Sequence, residues 1–253
     1  MQDDKAKKLS NLTYRDFGRL AQDSGLSRYE KIGFYDKFRE GKEELIFDEL
    51  LRLLPALSGS SETIIDIGPG CSDLPGMLIE QCRRQQHRLV LFDNPEMLNL
   101  LPQETFIRKL PQEYPLEVPE NIIEEFTGKA GAIICYSVFH YIFPVCPLHR
   151  FIDVSLALLK PGGQMLIGDI PNFDKKNRFF MSNEGIAFHR ANSGDNSLPD
   201  TAHLTPHTDW IDDAAIQDIL MRVRSSGSEA YLLPQHPDLP FAGRRDDILI
   251  VKR

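Results

Sequence analysis

IDIGPGCSDLP, residues 65–75, is the stretch on which the fold turns. It follows Thr63-Ile64, so a β-branched run leads straight into an acid, two glycines and a proline. The run predicts a buried strand, and Gly-Pro-Gly predicts a turn that exposes backbone N–H groups at the strand's carboxyl end. Open α/β sheets bind nucleotide-like ligands at that end. Gly68 and Gly70 let a ligand approach the backbone closely. The dinucleotide fingerprint G-x-G-x-x-G lacks its third glycine here, because Cys71-Ser72-Asp73 follows Gly70. The phosphate-cradling G-x-x-x-x-G-K-[ST] pattern fails as well. What remains is Asp66, two residues before Gly68. An acid aimed at a pyrophosphate repels it; one facing a cationic ligand does not.

Outward from this loop, strand-like and helix-like runs alternate. TIIDI (63–67) precedes LPGMLIEQCRRQ (74–85), and HRLVLF (87–92) precedes NPEMLNLL (94–101). A weaker run, TFIRKL (105–110), is followed by GAIICYS (131–137), VSLALLK (154–160) and QMLIGDI (164–170). Alternation of this kind predicts a mostly parallel sheet with helices on both faces. IDDAAIQDILMRVRSSG (211–227) reads as a helix capped by Thr208 or Asp209, and AYLLPQ and DDILIVKR as two late strands. Before residue 58, LTYRDFGRLAQ and FYDKFREGKEELIFDELLRLLPAL show amphipathic helical spacing. Between 171 and about 208 the regular pattern lapses, over a stretch too long for a plain connector.

Several of these segments, in this order, resemble class I S-adenosylmethionine-dependent methyltransferases. IIDIGPGCS, with Asp66, Gly68 and Gly70, resembles the family's first motif, with Ser72 in place of a third glycine. HRLVLFDNPEML resembles its second strand, whose terminal acid, Asp93, lies 25 residues after Gly68. GAIICYSVFHYI resembles its fourth strand and the loop after it, LALLKPGGQMLIGD its fifth strand with the preceding turn, and the late hairpin its final antiparallel pair. The match spans roughly residues 62–253.

The resemblance implies an α/β, Rossmann-like class I methyltransferase fold, with a seven-stranded mostly parallel sheet and an antiparallel last strand. It implies a helical N-terminal lid over residues 1–60 and a methyltransferase domain over 61–253, whose insertion 171–210 forms the substrate pocket. It implies S-adenosyl-L-methionine as cofactor, bound by Asp66, Gly68, Gly70, Ser72, Asp93, Asn94, Leu110 and Tyr136. Asp93 would accept both ribose hydroxyls. Arg108-Lys109-Leu110-Pro111 stands where an acid often meets the adenine amine, which shifts adenine recognition to backbone near Leu110.

A net charge of −8 argues against a general nucleic-acid binder. The four cysteines form no metal-ligand spacing and read as reduced thiols of a cytoplasmic protein. The apolar run 131–148 contains Ser137, His140, Tyr141 and Pro144 and reads as a buried strand entering a loop, not as a membrane span. The expected partner is a small-molecule acceptor, with no membrane or nucleic acid, and a homodimer is left open.

For the chemistry, His140 is the first base candidate, with packing as its plain alternative. Asp169, at the end of IGD, faces either substrate or its own loop. His207 and His203 sit in the irregular insertion. No three-ligand metal set is found. Lys175, Lys176, Arg178 and Arg190 give the insertion a basic bias, either a solvated face or a clamp for a phosphate or carboxylate. The expected reaction is O-methylation of a sugar, nucleotide sugar or phosphate derivative. A nicotinamide-dependent oxidoreductase and a catalytically inactive cofactor-binding subunit are the competing readings.

Overall fold

The structure, a computed structural model, describes residues 12–193, 197–199 and 210–253. Its strands are β1 (Thr63–Ile67), β2 (Arg88–Phe92), β3 (Ile107–Leu110), β4 (Ala130–Tyr136), β5 (Leu159–Pro171), β6 (Glu229–Pro234) and β7 (Arg245–Val251). They form one seven-stranded sheet in the order β3-β2-β1-β4-β5-β7-β6. β1 pairs in parallel with β2 and β4, β2 with β3, and β4 with β5. β7 runs antiparallel to both β5 and β6. The predicted α/β sheet with an antiparallel last strand is therefore present.

Side chains alternate across the sheet, so β1 serves two cores. Ile65 and Ile67 join one cluster with Phe151, Ile152, Ile216, Ile219 and Val223, carried by the helices Leu148–Leu158 and Asp213–Ser225. Ile64 joins the other with Ile46, Leu50, Leu78 and Ile79, carried by the helices Glu43–Leu53 and Asp73–Gln85. Asp66 shares the second face and lies at its upper edge, where the apolar layer gives way to the Gly68–Gly70 loop.

The first described helix, Tyr14–Gln22, opens with a capping box, the Thr13 amide and hydroxyl meeting the Asp16 carboxylate. The amphipathic stretch 34–57 is not one helix. Gly41, at φ 69°, separates Asp36–Arg39 from Glu43–Leu53. The N-cap of Asp213–Ser225 is Asp212, whose carboxylate accepts the Ala215 amide at 2.8 Å; the expected caps Thr208 and Asp209 lie outside the described residues. The stretch whose pattern lapses contains two helices, Phe173–Phe180 and Asn183–Ser193. Phe173 is the one buried residue of the first, so apolar periodicity could not reveal it. No described helix is long and apolar enough to cross a membrane.

Candidate active site

Gly68 and Gly70 both hold left-handed backbone, φ 69° and 66°. A Cβ on Gly68 would lie 2.6 Å from Val138, and one on Gly70 2.5 Å from Ile32. The glycines are thus required by conformation and by space. Their loop is tied to the end of β2: the Gly70 amide donates to Asp93 at 3.0 Å, and the Asn94 amide donates to the other carboxylate oxygen at 2.7 Å. Burial pushes the Asp93 carboxyl up to about 6, against the pull of those two amides. Asp66 is pushed further, to about 8, by burial and then by the Asp93 charge. The Asp66 carboxylate has no hydrogen bond or ion pair among the described residues.

These acids line an inner cavity of about 100 Å³ together with Gly68, Gly70 and Tyr136. Its roof comes from the N-terminal segment, through Tyr14, Phe17, Ile32, Phe34 and Arg39. Phe17 packs edge-on against Tyr141, centroids 4.8 Å apart, and the Tyr29 hydroxyl donates to Asp73 at 2.7 Å beside an Arg28–Asp73 ion pair. After β3, Gln112 and Glu113 complete the wall, and the Gln112 Oε1 is buried without a hydrogen-bond partner. Burial raises the Tyr14 phenol, helped by the nearby Asp93 and Glu113 charges.

A buried polar chain runs behind the cavity. The Leu74 amide donates to Glu43 at 2.7 Å, and the other Glu43 oxygen accepts Arg39 Nε at 3.0 Å. Arg39 donates onward to the Ser137 hydroxyl at 3.3 Å, and Ser137 to Asp169 at 2.5 Å. Asp169 also accepts from Arg245 and Gln235, while its own amide donates to Asp247. Six separate parts of the chain therefore fix one another around the carboxyl-terminal halves of β4 and β5.

Beyond the cavity lies an outer cleft of about 1120 Å³. The two share Tyr14, Glu113 and Tyr141, so they adjoin. His140 lines the outer cleft, 4.0 Å from the Tyr141 ring between centroids. Its Nδ1 is buried without a partner, and burial together with Arg245 lowers the imidazole to about 3.

Five of the expected cofactor residues thus meet at one cavity: Asp66, Gly68, Gly70, Asp93 and Tyr136. Three do not line it. Ser72 and Asn94 stand at helix N-termini, where Asn94 accepts the Met97 amide at 2.9 Å. The Leu110 carbonyl is taken by the amides of Asp93 and Gln112. Asp169 lines neither cavity, and His207 lies outside the described residues. Tyr14, Gln112, Glu113, Ser137 and Tyr141 were not legible as site residues. Tyr14 and Tyr141 are placed by tertiary packing, and for Gln112, Glu113 and Ser137 the position just past a strand end is the one local cue.

No family model matches the chain, and no curated protein matches it in sequence. Solved structures do match over nearly its whole length. Geranyl diphosphate C-methyltransferase of Streptomyces coelicolor A3(2), in complex with S-adenosyl-L-homocysteine, aligns with 100% of this chain and 97% of its own at 13% identity, TM-score 0.54. The N-methyltransferase NodS of Bradyrhizobium japonicum, also with S-adenosyl-L-homocysteine, aligns with 94% and 96% at 15% identity, TM-score 0.52. Phosphoethanolamine N-methyltransferase 2 of Haemonchus contortus, with S-adenosyl-L-methionine, aligns with 96% of this chain and 60% of its own at 11% identity, TM-score 0.54. The fold is that of class I methyltransferases. At these identities the likeness carries the architecture, and the cavity's own residues carry any reading of its ligand.

Proposed function

We propose that the protein is an S-adenosylmethionine-dependent methyltransferase that methylates an oxygen of a small polar acceptor, such as a sugar, nucleotide sugar or phosphate derivative. One observation supports the cofactor in this reading above the rest: two buried acids, Asp66 and Asp93, line a glycine-walled cavity, and Asp66 has no cationic partner among the described residues. Such a cavity suits a ligand carrying positive charge and repels a pyrophosphate, which disfavours a nicotinamide cofactor.

The residues present fit that cofactor. Asp93 would take the ribose hydroxyls, its oxygens each having accepted only one amide bond. The Gly68–Gly70 backbone would lie against the cofactor, Asp66 would face its cationic end, and the orphaned Gln112 Oε1 would accept the adenine amine. When bound, the cofactor supplies an electrophilic methyl group. The protein's contribution is alignment at the mouth shared by the two cavities, where Tyr14, Glu113 and Tyr141 stand. His140, which lines the outer cleft with a ring nitrogen that has no partner, is our candidate to take a proton from an acceptor hydroxyl; burial lowers its imidazole to about 3, so this role requires the bound acceptor and Asp169 to restore its basicity.

A slot of about 100 Å³ must widen to admit a nucleoside. The segment 14–39 forms its roof, and we assign it the part of a lid. The stretch 171–199 contributes Pro171, Asn172, Phe173 and Lys176 to the outer cleft, in keeping with an acceptor-binding role. A cytoplasmic setting accords with the thiol usage.

Calorimetric titration with S-adenosylmethionine and, separately, NADH tests the proposal. Binding of the first, lost in Asp93→Ala, is expected. Binding of NADH instead, or of neither, overturns it. Binding without methyl transfer to any of a broad acceptor panel would favour the inactive-subunit reading.

A further inference from the structure

The outer cleft has the opposite charge to the cavity it adjoins. Its described lining contains Arg15, Lys176, Arg244 and Arg245 against a single carboxylate, Glu113, which stands at the mouth shared with the inner cavity. That concentration occurs in a chain with a net charge of −8. Clefts lined by one sign of charge focus their field on a ligand of the other.

The cations of this region separate into two kinds. Lys175 is paired with Asp246 at 2.6 Å, Arg178 with Asp213 at 2.6 Å, and Arg245 with Asp169 at 2.5 Å. Those three are held by the fold. Lys176 and Arg244 are half-buried and have no hydrogen bond or ion pair from their charged groups among the described residues. The Arg244 guanidinium instead lies among phenylalanine rings, 4.7 Å from the Phe188 centroid and 4.9 Å from that of Phe241. Aromatic faces hold a guanidinium in place without neutralising it. Burial and the neighbouring arginine lower both groups, Arg244 to about 10. Two half-buried cations in one cleft, with no countercharge among the described residues, suit an anionic ligand.

On the reading of the inner cavity as a sulfonium-cofactor site, we propose that the outer cleft binds an acceptor carrying a carboxylate or phosphate, which Lys176 and Arg244 clamp. The body of that acceptor packs on Phe173 and Trp210, whose tilted rings meet with centroids 5.0 Å apart at the cleft wall. The anion is then held away from Asp66 and Asp93, so one end of the combined site selects a cation and the other an anion. A planar guanidinium beside an ammonium suits an oxyanion with two or three acceptor oxygens.

Trp210 is the only tryptophan of the chain and is a built-in reporter. The intact protein, with saturating S-adenosylhomocysteine, is titrated with phenyl phosphate, benzoate and uncharged benzyl alcohol while Trp210 fluorescence is followed. Saturable binding of phenyl phosphate or benzoate is expected, with benzyl alcohol weaker by tenfold or more, on the order of one charge-assisted contact. Phenyl phosphate binding tighter than benzoate would assign the anion as phosphate, and the reverse order as carboxylate. Lys176→Gln and Arg244→Gln should each weaken the anion by a similar factor and leave S-adenosylhomocysteine affinity, read separately by calorimetry, unchanged. Equal binding of benzyl alcohol, or anion affinity unaffected in Lys176→Gln, overturns the proposal. Arg244 is embedded among aromatic rings, so if Arg244→Gln does not fold, the Lys176→Gln result decides alone. Loss of cofactor binding in the unmodified protein would instead overturn the reading of the inner cavity, independently of the anion titration.

Discussion

The Ser137 hydroxyl donates a 2.5 Å hydrogen bond to the Asp169 carboxylate, and both residues hold left-handed backbone, φ 61° and 57°. Ser137 directly follows β4, whereas Asp169 sits in the irregularity of the adjacent parallel strand β5 between Ile167 and Ile170, beyond which β5 goes on to pair with β7. Ser137 lines the inner cavity, and Asp169 carries Arg245, which lines the outer cleft. The pair therefore joins the two cavities. Non-glycine residues in this conformation cost about 1–2 kcal/mol each, so the surrounding bonds must hold them there.

That conformation predicts an inversion of the usual ranking of substitutions. Ser137→Ala and Ser137→Gly both remove the hydroxyl, but only alanine retains the left-handed strain. Ser137→Ala should lose about 1–3 kcal/mol of stability and Ser137→Gly less, measured by urea denaturation. Glycine being the worse of the two would show that the backbone strain is not the controlling cost.

The ion pair between Arg39 and Glu43 is buried at both ends. Arg39→Ala would leave the Glu43 carboxylate without its countercharge, at a cost of about 3–5 kcal/mol. Adding Glu43→Gln to that variant should recover a measurable part of the loss, because the neutral amide is cheaper to bury and its oxygen can still accept the Leu74 amide. A double-mutant cycle in urea checks this; strict additivity would sink it.

The fold was legible because β1, β2 and β4 are short apolar runs ended by Gly68, Asp93 and Ser137, and side-chain alternation is a local property. The loop glycines, Asp66 and Asp93 were legible for the same reason: strand-end chemistry is written in consecutive residues. The outer cleft was not. Arg244 and Arg245 sit in what reads as a Pro/Gly connection before β7, and only the antiparallel pairing of β7 with β5 brings Arg245 beside Asp169. Of the four basic residues that drew notice in the insertion, Lys175 and Arg178 are committed to carboxylates, Lys176 faces the cleft and Arg190 is exposed. No spacing rule separates those roles, because the partners Asp246 and Asp213 are distant in sequence.

Gly68→Ala should abolish cofactor binding and lower stability. The new methyl group would meet Val138 at 2.6 Å and impose a left-handed alanine. The backbone cost alone is about 1–2 kcal/mol. Gly76→Ala, in the following helix with no atom within 4 Å of the new Cβ, is the control and should bind normally. Calorimetry and thermal melting of the two variants check the contrast, and normal binding by Gly68→Ala would refute the close approach of ligand to that backbone.

The Asp66 carboxyl, raised to about 8 in the folded chain, makes both stability and cofactor affinity depend on pH, with opposite signs. For stability, the folded state holds the proton more tightly than the unfolded one, whose carboxyl titrates near 3.9. The contribution is fully present below about pH 4 and is lost as pH rises toward 8, at up to about 1.4 kcal/mol per pH unit. Asp66→Asn cannot ionise, so its stability advantage over the unmodified protein should grow between pH 5 and 9. For affinity the sign reverses, because a cationic ligand favours the ionised carboxylate and its binding expels the proton. S-adenosylmethionine should therefore bind more tightly as pH rises from 5 to 9, with Asp93, raised to about 6, acting in the lower part of that range. Calorimetry in two buffers of different ionisation enthalpy would read the released protons directly. In Asp66→Asn the upper part of the affinity rise and its share of released protons should disappear while the lower part remains. A pH-independent affinity in the unmodified protein would mean that neither acid meets the positive charge of the ligand.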